Sequence, residues 1–268
     1  MSDFICPVCK ARLSKEGNTY RCSQSHSFDI SKYGYVNLLM SQQSSKKRHG
    51  DDSLMVAARR SFLQKGYYKP LRDAVCACVN SNVNVGSLIA DIGCGEGYYS
   101  TAVAQNAKAR LCGIDISKDA LRYAAKTIKQ SEFAVASAFE LPFGNESVDC
   151  ILSVFAPSAY EEFYRILNSN GVLIKAIPLQ NHLWGLKCAL YDEPYLNKPE
   201  IRNEELFELI SVEELKYDIT LTDSEDIQNL FKMTPYYYKT GRNEADRLLS
   251  LKELTTTVHF GVEVYRKR

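Results

Sequence analysis

The sequence predicts an α/β fold with a mostly parallel sheet, preceded by a small cysteine-rich module. From about residue 87 onward, apolar segments of strand length alternate with segments of helical periodicity. This alternation is typical of parallel sheets that carry helices on both faces. The chain has 268 residues, 45% of them apolar and 24% charged, which suits one large globular domain with an appendage. A cluster of cysteine and histidine within the first 26 residues predicts the appended module.

Seven segments are candidate strands. Five of them, 87–92, 110–114, 132–136, 148–154 and 171–177, lie in the alternating region, and two more, 217–221 and 255–265, come later. Helices are predicted between the first five strands at 98–106, 118–128 and 159–167, with at most one turn at 139–141. The last strand alternates valine and phenylalanine with threonine, histidine, glycine and glutamate, so we expect it to have one buried face.

Two helices are predicted before the sheet. Ser53 is the expected N-cap of the first helix, which ends near Gly66, and the second helix follows Pro70. No uncharged apolar run approaches the roughly 20 residues that a membrane helix needs, and the N-terminus lacks the features of a signal peptide. Nine cysteines, an odd number, favour reduced thiols. We therefore expect a cytoplasmic protein without a membrane partner.

Four potential metal ligands form two close pairs near the N-terminus. Cys6 and Cys9 are separated by two residues, twelve residues follow, and Cys22 and His26 are separated by three. The pattern C-x2-C-x12-C-x3-H suits one tetrahedral zinc ion, and because protein fills all four positions the site is structural. A module this short needs such a metal to fold. The alternative is two reduced cysteine pairs without a metal.

The chain is predicted to have three parts: a zinc-binding module of residues 1–40, a polar linker of residues 41–53 and a main domain of residues 54–268. Residues 1–50 contain eight basic and three acidic side chains, a net charge of +5, whereas the whole chain carries +1. A basic module suggests an anionic partner, and a solvated basic surface with a linker is the alternative. For a nucleic-acid partner, Lys46, Lys47 and Arg48 are suited to phosphate contacts, with a mobile linker as the alternative.

A glycine-rich loop, Asp-Ile-Gly-Cys-Gly-Glu-Gly at residues 91–97, lies between a predicted buried strand and a predicted helix. Gly93, Gly95 and Gly97 allow a ligand to approach the backbone closely, because no Cβ stands in the way. The spacing is not the G-x-G-x-x-G of dinucleotide enzymes. It resembles the acidic-x-G-x-G-x-G loop of S-adenosylmethionine-dependent methyltransferases. Asp115 ends the next strand, 18 residues beyond Gly97, and a carboxylate there can accept two hydrogen bonds from a ribose diol.

This resemblance implies a Rossmann-like class I methyltransferase fold with a mostly parallel seven-stranded sheet. In that fold the loop from Gly93 to Gly97 would hold the methionine part of the donor, and Asp91 would contact its amino group directly or through water. Ser137 follows the third predicted strand, where the adenine ring usually lies, and residues 153–156 would form the floor beside the methyl group. For Asp115 alone the alternative is a helix N-cap, although Ser117 is available for that role.

Taken together, the two parts resemble one family over nearly the whole chain, the bacterial 23S rRNA (guanine-N1)-methyltransferases known as RlmA. The resemblance is carried by the zinc ligands and by residues 28–39, 58–63, 66–71, 91–99, 155–157, 182–187 and 233–235. It implies methylation of guanine N1 in a hairpin loop of 23S rRNA, RNA binding by the zinc module, and a homodimer. It also implies that the donor contacts are Tyr68, Gly95, Glu96, Asp115 and His182. Members of the family modify different neighbouring guanines, and the sequence does not choose between them.

Methylation of guanine N1 requires a base, because this nitrogen carries a proton that must leave. Glu140, Glu161 and His182 are the candidates near the carboxyl edge of the sheet, and none of them lies in a motif that marks it. Aromatic side chains can stack on extruded bases. The candidates are Tyr33, Tyr35 and Phe155, and core packing is the alternative for these side chains.

Three other functions remain compatible with the sequence. The first is methylation of a small molecule with a purely structural zinc ribbon, and the second is RNA binding without catalysis. The third is methylation of a different RNA. The intact glycine loop and Asp115 argue against the second function, and the basic zinc module argues against the first.

Overall fold

The computed structural model describes residues 2–40 and 50–268. The predicted linker therefore lies mostly outside the described residues, as do Lys46, Lys47 and Arg48, for which phosphate contacts were predicted. The N-terminal part begins with a three-stranded antiparallel sheet in the order β1-β2-β3. Its strands are β1 (Leu13–Glu16), β2 (Thr19–Cys22) and β3 (Ser27–Asp29).

The second sheet has eight strands. They are β4 (Tyr35–Asn37), β5 (Leu88–Ile92), β6 (Arg110–Asp115), β7 (Glu132–Val135), β8 (Val148–Val154), β9 (Leu167–Pro178), β10 (Phe207–Leu221) and β11 (Leu254–Lys267). Their spatial order is β10-β11-β9-β8-β5-β6-β7-β4. All neighbours from β9 to β4 are parallel, and β11 is antiparallel to both β9 and β10. This topology confirms the predicted mostly parallel sheet.

The large sheet has eight strands and not the predicted seven, and the additional strand is β4. Strand β4 belongs to the N-terminal segment, yet it pairs in parallel with β7 at the edge of the large sheet. Val36 in this strand is fully buried, so the segment gains both backbone hydrogen bonds and apolar burial by joining the sheet. The predicted division at residue 40 therefore does not coincide with the edge of the large sheet.

Eight helices are described. They are α1 (Ser53–Gln64), α2 (Lys69–Asn82), α3 (Tyr98–Asn106), α4 (Lys118–Thr127), α5 (Tyr160–Ile166), α6 (Trp184–Leu190), α7 (Ser224–Lys232) and α8 (Arg242–Leu249). The N-cap of α1 is Asp52 and not the predicted Ser53, because the Asp52 carboxylate accepts hydrogen bonds from the N–H groups of Leu54 and Met55 at 2.9 and 3.0 Å. Among these helices, none is long and apolar enough to cross a bilayer.

Strand β11 corrects a second expectation. One buried face was predicted, but nearly every side chain from Val258 to Tyr265 is buried. The prediction was wrong because both faces of the strand are covered: Val258 and Phe260 pack in one apolar cluster, and Tyr265 packs in the other. The polar residues of this strand find partners instead: His259 Nε2 lies 2.7 Å from a Glu214 oxygen, and Glu263 pairs with Arg202.

The N-terminal module packs against one face of the large sheet. Phe4 and Leu13 are fully buried and belong to the same apolar cluster as Ile92 and Ile114. Polar contacts support this docking, since Asp3 pairs with Arg110, and the Tyr20 hydroxyl donates to Glu132 at 2.6 Å. The module and the sheet therefore share one hydrophobic core.

Candidate active site and metal centre

A cavity of about 900 Å³ opens at the carboxyl ends of β5, β6 and β8. The strand order reverses at this point, since β6 lies on one side of β5 and β8 on the other. Open α/β sheets bind their ligands at such switch points. The walls include residues from the glycine loop, from the ends of the neighbouring strands and from more distant segments: Tyr68, Gly93, Gly95, Glu96, Asp115, Ser137, Phe155, Ser158, His182, Asn197, Glu200 and Thr234.

The glycine loop forms the floor of the cavity. Gly93, Gly95 and Gly97 have φ angles of +77°, +57° and +88°, which L side chains rarely adopt. A Cβ on Gly93 would lie 2.4 Å from the Cβ of Ala156, and one on Gly97 would lie 3.0 Å from the Cβ of Ala124. A Cβ on Gly95 would meet no atom within 4 Å. Gly93 and Gly97 are therefore required by packing, whereas Gly95 leaves space beside the cavity.

Asp115 is held in place by the loop it faces. One carboxylate oxygen accepts the N–H of Gly95 at 2.8 Å, and the other accepts the N–H of Ser117 at 2.7 Å. Burial raises the pKa of Asp115, and these two N–H groups act in the opposite direction. The N-cap of α4 is Ser117, whose hydroxyl accepts from the Ala120 N–H, so the N-cap alternative for Asp115 is wrong. Each oxygen retains a lone pair for a diol.

Asp91 and Gly97 lie behind the cavity wall and not on it. The Asp91 carboxylate is buried and accepts a hydrogen bond from the Ser100 hydroxyl at 2.5 Å. Burial raises the pKa of Asp91 to about 7, although the Ser100 hydroxyl lowers it. The contact of Asp91 with the donor, expected directly or through water, therefore stays a prediction, and in this structure the carboxylate holds Ser100 of helix α3 beneath the loop.

Three further predicted residues do line the cavity. Tyr68 is buried, and its hydroxyl has no hydrogen-bond partner among the described residues, which leaves it available for a ligand. Glu96 lies at the cavity wall, where burial raises the pKa of its carboxyl group. Ser137 also lines the cavity, but its hydroxyl oxygen accepts from the Phe139 N–H at 3.2 Å in a local turn.

His182 is a neutral hydrogen-bond donor. Burial lowers the pKa of its imidazole to about 3, and Lys187 and His259 act in the same direction. Its Nδ1 accepts the backbone N–H of His259 at 3.3 Å. A neutral imidazole that accepts at Nδ1 carries its proton on Nε2. His182 therefore presents an N–H group and not a basic nitrogen.

The four predicted metal ligands come together in the N-terminal module. Cys6, Cys9, Cys22 and His26 place their ligand atoms within 4.8 Å of one another. The Cys9–Cys22 sulfur distance is 3.6 Å, and His26 Nδ1 lies 3.6 Å from Cys6 Sγ and 3.3 Å from Cys22 Sγ. Zinc–sulfur bonds of about 2.3 Å in a tetrahedron place ligand atoms about 3.5–3.8 Å apart. The cluster therefore has the size and the donor set of a closed structural zinc site.

Comparisons with known proteins agree with both parts of the chain. The family model described as the N-terminal zinc ribbon of RlmA matches residues 4–47, and a methyltransferase-domain model matches residues 89–171. A Bacillus subtilis protein named as a 23S rRNA (guanine-N1)-methyltransferase is 32% identical over 99% of this chain and 98% of that protein. The chain belongs to the 23S rRNA (guanine-N1)-methyltransferase family.

Other relatives give the same family and fold. The 23S rRNA (guanine(748)-N1)-methyltransferase of Streptomyces fradiae is 32% identical over 96% of this chain and 95% of that protein. Among solved structures, the YcgJ protein of Bacillus subtilis matches with a TM-score of 0.50 and 14% identity over 73% of this chain and 98% of that chain. At this identity the structural likeness shows the fold alone.

The cavity fits S-adenosylmethionine, the methyl donor of this fold. The open space beside Gly95 admits an extended ligand against the backbone. Asp115 offers two carboxylate oxygens to a ribose, and the unpaired Tyr68 hydroxyl offers one more polar contact. The cavity volume of about 900 Å³ lies within the range of about 300–1,000 Å³ that ordinary ligand sites span.

Two of the three candidate bases lie away from the cavity. Glu140 is exposed and pairs with Lys10 at 2.8 Å, and Glu161 is exposed in the first turn of α5. Neither of them lines the cavity. His182 lines the cavity, but its Nδ1 accepts the His259 N–H, so the nitrogen that can face a ligand is the protonated Nε2. The geometry therefore assigns the base to none of the three, and their catalytic role stays a prediction.

The aromatic candidates differ in exposure. Phe155 is 43% exposed at the cavity and has a φ of +55°, a backbone conformation that costs energy in a non-glycine residue. Its ring stacks on that of His182, with centroids 6.3 Å apart and an interplanar angle of 21°. Tyr35 is buried, as its core alternative predicted, and Tyr33 stacks on it at the surface.

A polar group on the far wall was missed by sequence reasoning. Ser158, Asn197 and Glu200 line the cavity, and Lys175 in β9 contacts both Ser158 and Glu200. Residues 192–203 have no regular secondary structure, and no motif marks them. The single signal in the sequence was a lysine within the apolar strand 171–177, which is unusual for a buried position.

Proposed function

We propose that this protein transfers the methyl group of S-adenosylmethionine to N1 of a guanine in a hairpin loop of 23S rRNA. The observation that carries the proposal is the presence in one chain of a donor cavity and a docked zinc ribbon. The sequence is also similar over nearly its full length to relatives named for this reaction. The zinc ion is structural, because four protein ligands close its coordination sphere.

The donor is held by the residues that line or support the cavity. Asp115 binds the ribose, Gly93, Gly95 and Glu96 contact the methionine part, and Ser137 lies beside the adenine. The Tyr68 hydroxyl and the His182 Nε2–H supply further polar contacts. Asp91 and Gly97 shape the loop from behind. Methyl transfer needs mainly alignment of the nucleophile with the sulfonium, so this fixed arrangement carries much of the catalysis.

A basic and aromatic surface supports an RNA substrate. Lys32, Arg122 and Lys126 place their cationic groups 5.2, 5.4 and 4.9 Å from the ring centroid of Tyr33. We call these four residues the Tyr33 patch. It joins the N-terminal segment to helix α4, so the two parts of the chain form one surface. Cations around an aromatic ring are suited to phosphates and stacked bases.

The partner and the location of the protein follow from the same proposal. The RNA is a loop of the large-subunit rRNA, and two copies of the chain form a homodimer that holds it. Such an enzyme works in the cytoplasm, where ribosomal RNA is made. The experiment below identifies which guanine of the loop is modified.

The test is a methylation assay with labelled S-adenosylmethionine and unmodified 23S rRNA. We expect label in the RNA and a primer-extension stop one nucleotide before a loop guanine, because N1-methylguanine cannot form its Watson–Crick pair. An Asp115→Ala variant should transfer no label, and Asp246→Ala, an exposed aspartate on α8, is the matched control. Label in a small-metabolite extract but not in rRNA would overturn the proposal.

A further inference from the structure

A charged cluster lies at the wall of the cavity, where Ser158 and Glu200 belong to the lining. Lys175 is only 1% exposed, and its Nζ donates to the Ser158 hydroxyl at 2.7 Å and to the Tyr160 hydroxyl at 2.9 Å. It also forms an ion pair with Glu200. A buried ammonium needs such a partner, and here the partner is a carboxylate that lines the cavity.

The two oxygens of Glu200 have different environments. Oε1 accepts both Lys175 Nζ and the Ser158 hydroxyl. Oε2 has no hydrogen-bond partner among the described residues. One oxygen is therefore fixed by the buried Lys175 ammonium and the Ser158 hydroxyl, and the other remains available to a ligand. This is the arrangement of a carboxylate that is held in place to receive a ligand.

Glu200 lies within reach of a base stacked on Phe155. Ser158, which donates to Glu200, follows Phe155 by three residues in the same loop, and three residues span at most about 10 Å. The Phe155 ring is exposed at the cavity, where an extruded base can stack on it. A base stacked on this ring would therefore lie in the same cavity as Glu200.

The Watson–Crick edge of guanine matches a carboxylate. Its N1–H and exocyclic N2–H both donate on one side of the base, and the free Oε2 of Glu200 has two acceptor lone pairs for them. Adenine and cytosine each present a ring-nitrogen acceptor at the equivalent position, which a carboxylate repels. The same contact reaches the N1 proton that must leave during methylation. We propose that Glu200 recognises the guanine edge and accepts the N1 proton; this inference rests on the proposed function.

The step balances with the groups named. The N1–H bond breaks, and its proton moves to Oε2 of Glu200. The electron pair left on N1 forms the bond to the methyl carbon, while the methyl–sulfur bond breaks and its pair stays on sulfur. The sulfonium becomes a neutral thioether, and the proton on Glu200 passes to water when the product leaves. Lys175 is a positioning residue, because it contacts Glu200 and not the base.

The experiment compares Glu200→Gln with Glu204→Gln, an exposed glutamate four residues away, on a hairpin that the parent methylates. We expect Glu200→Gln to lower kcat by about 100-fold or more, with donor binding unchanged in calorimetry. Its rate should rise toward alkaline pH, where the N1 proton leaves without a base. Glu204→Gln should match the parent in each measurement.

A hairpin with inosine at the target position gives an independent readout. Inosine keeps N1–H but lacks the 2-amino group, so the parent should methylate it more slowly than guanine. Glu200→Gln should lose most of this preference. A purely structural glutamate would leave the preference and the pH profile unchanged.

Three outcomes would overturn the inference, and the third would overturn the proposed function with it. If the parent is active and Glu200→Gln retains its kcat and its guanine preference, Glu200 has no such role, and the proposed function stands. If a folded Lys175→Met/Glu200→Gln double variant recovers the parent's turnover, the ion pair is only structural. A parent that methylates no rRNA would instead overturn the proposed function together with this inference.

Discussion

At the scale of single residues, burial of the Asp91 carboxylate at the donor site lowers the free energy of unfolding when this group is charged. The carboxylate is buried beneath the glycine loop, and this burial raises its pKa to about 7. Because the folded-state pKa lies above the ordinary value of about 3.9, the folded protein binds this proton more tightly than the unfolded chain does. Protonated Asp91 therefore adds to the free energy of unfolding. This contribution is fully present below about pH 4 and is lost as the pH rises through the folded-state pKa of about 7.

We expect Asp91→Asn to remove this pH dependence. An asparagine can keep the hydrogen bond from Ser100 without the buried charge. At pH 8 the variant should exceed the parent in free energy of unfolding by about 2–4 kcal/mol, and the difference should shrink toward pH 4. Denaturant unfolding at both pH values measures it, with Asp246→Asn as the exposed control. An equal pH dependence in parent and variant would show that Asp91 ionises normally.

At the scale of elements, helix α4 brings two functions together. Its N-terminus follows Asp115 and is capped by Ser117, while Arg122 and Lys126 on its exposed side complete the Tyr33 patch. The helix therefore links the donor cavity to the surface that we assign to RNA. Its position is fixed by β6 before it and by packing beside β4, whose segment contributes Tyr33.

An Arg122→Ala/Lys126→Ala variant should weaken RNA binding and reduce its salt dependence. Each phosphate contact releases about 0.7–0.9 counterion, so the slope of log K against log salt should become less steep by about 1–2 units. Binding titrations at several salt concentrations measure this slope. The control is Lys239→Ala/Lys252→Ala, two exposed lysines outside the patch. Identical slopes in both double variants would remove the patch from the RNA interface.

At the scale of the whole molecule, the zinc module and the sheet form one structural unit. Phe4 and Leu13 are buried in the same cluster as Ile92 and Ile114, and β4 extends the large sheet. Metal binding supplies folding free energy to a module of this size. Because the core is shared, loss of the metal should affect the stability of the whole protein.

We expect zinc removal to lower the temperature of a single unfolding transition. Differential scanning calorimetry of the protein with and without a chelator, and of Cys9→Ser, should show one shifted peak in each case. Cys188→Ser, an exposed cysteine outside the metal cluster, is the control and should unfold like the parent. A separate low-temperature transition beside an unchanged main peak would mean that the module unfolds independently.

The sequence by itself determined the parts that depend on local spacing. The alternating strands and helices, the glycine loop with Asp115, and the four zinc ligands each follow from residues close together in the chain. Their geometry is set by backbone conformation and by ligand number, which short motifs encode. These predictions therefore agree with the structure in the type of each element, and most of the predicted first and last residues lie close to those observed.

Only the tertiary structure decided which side chains meet across long sequence separations. The eighth strand depends on pairing between Tyr35–Asn37 and Glu132–Val135, and the two buried faces of β11 depend on side chains from distant segments that pack on each face. Lys175 pairs with Glu200 across a connection that contains helix α6 and an irregular segment. Such contacts arise from packing and not from periodicity, so no local pattern could place Asp91 behind the wall or Glu200 on it.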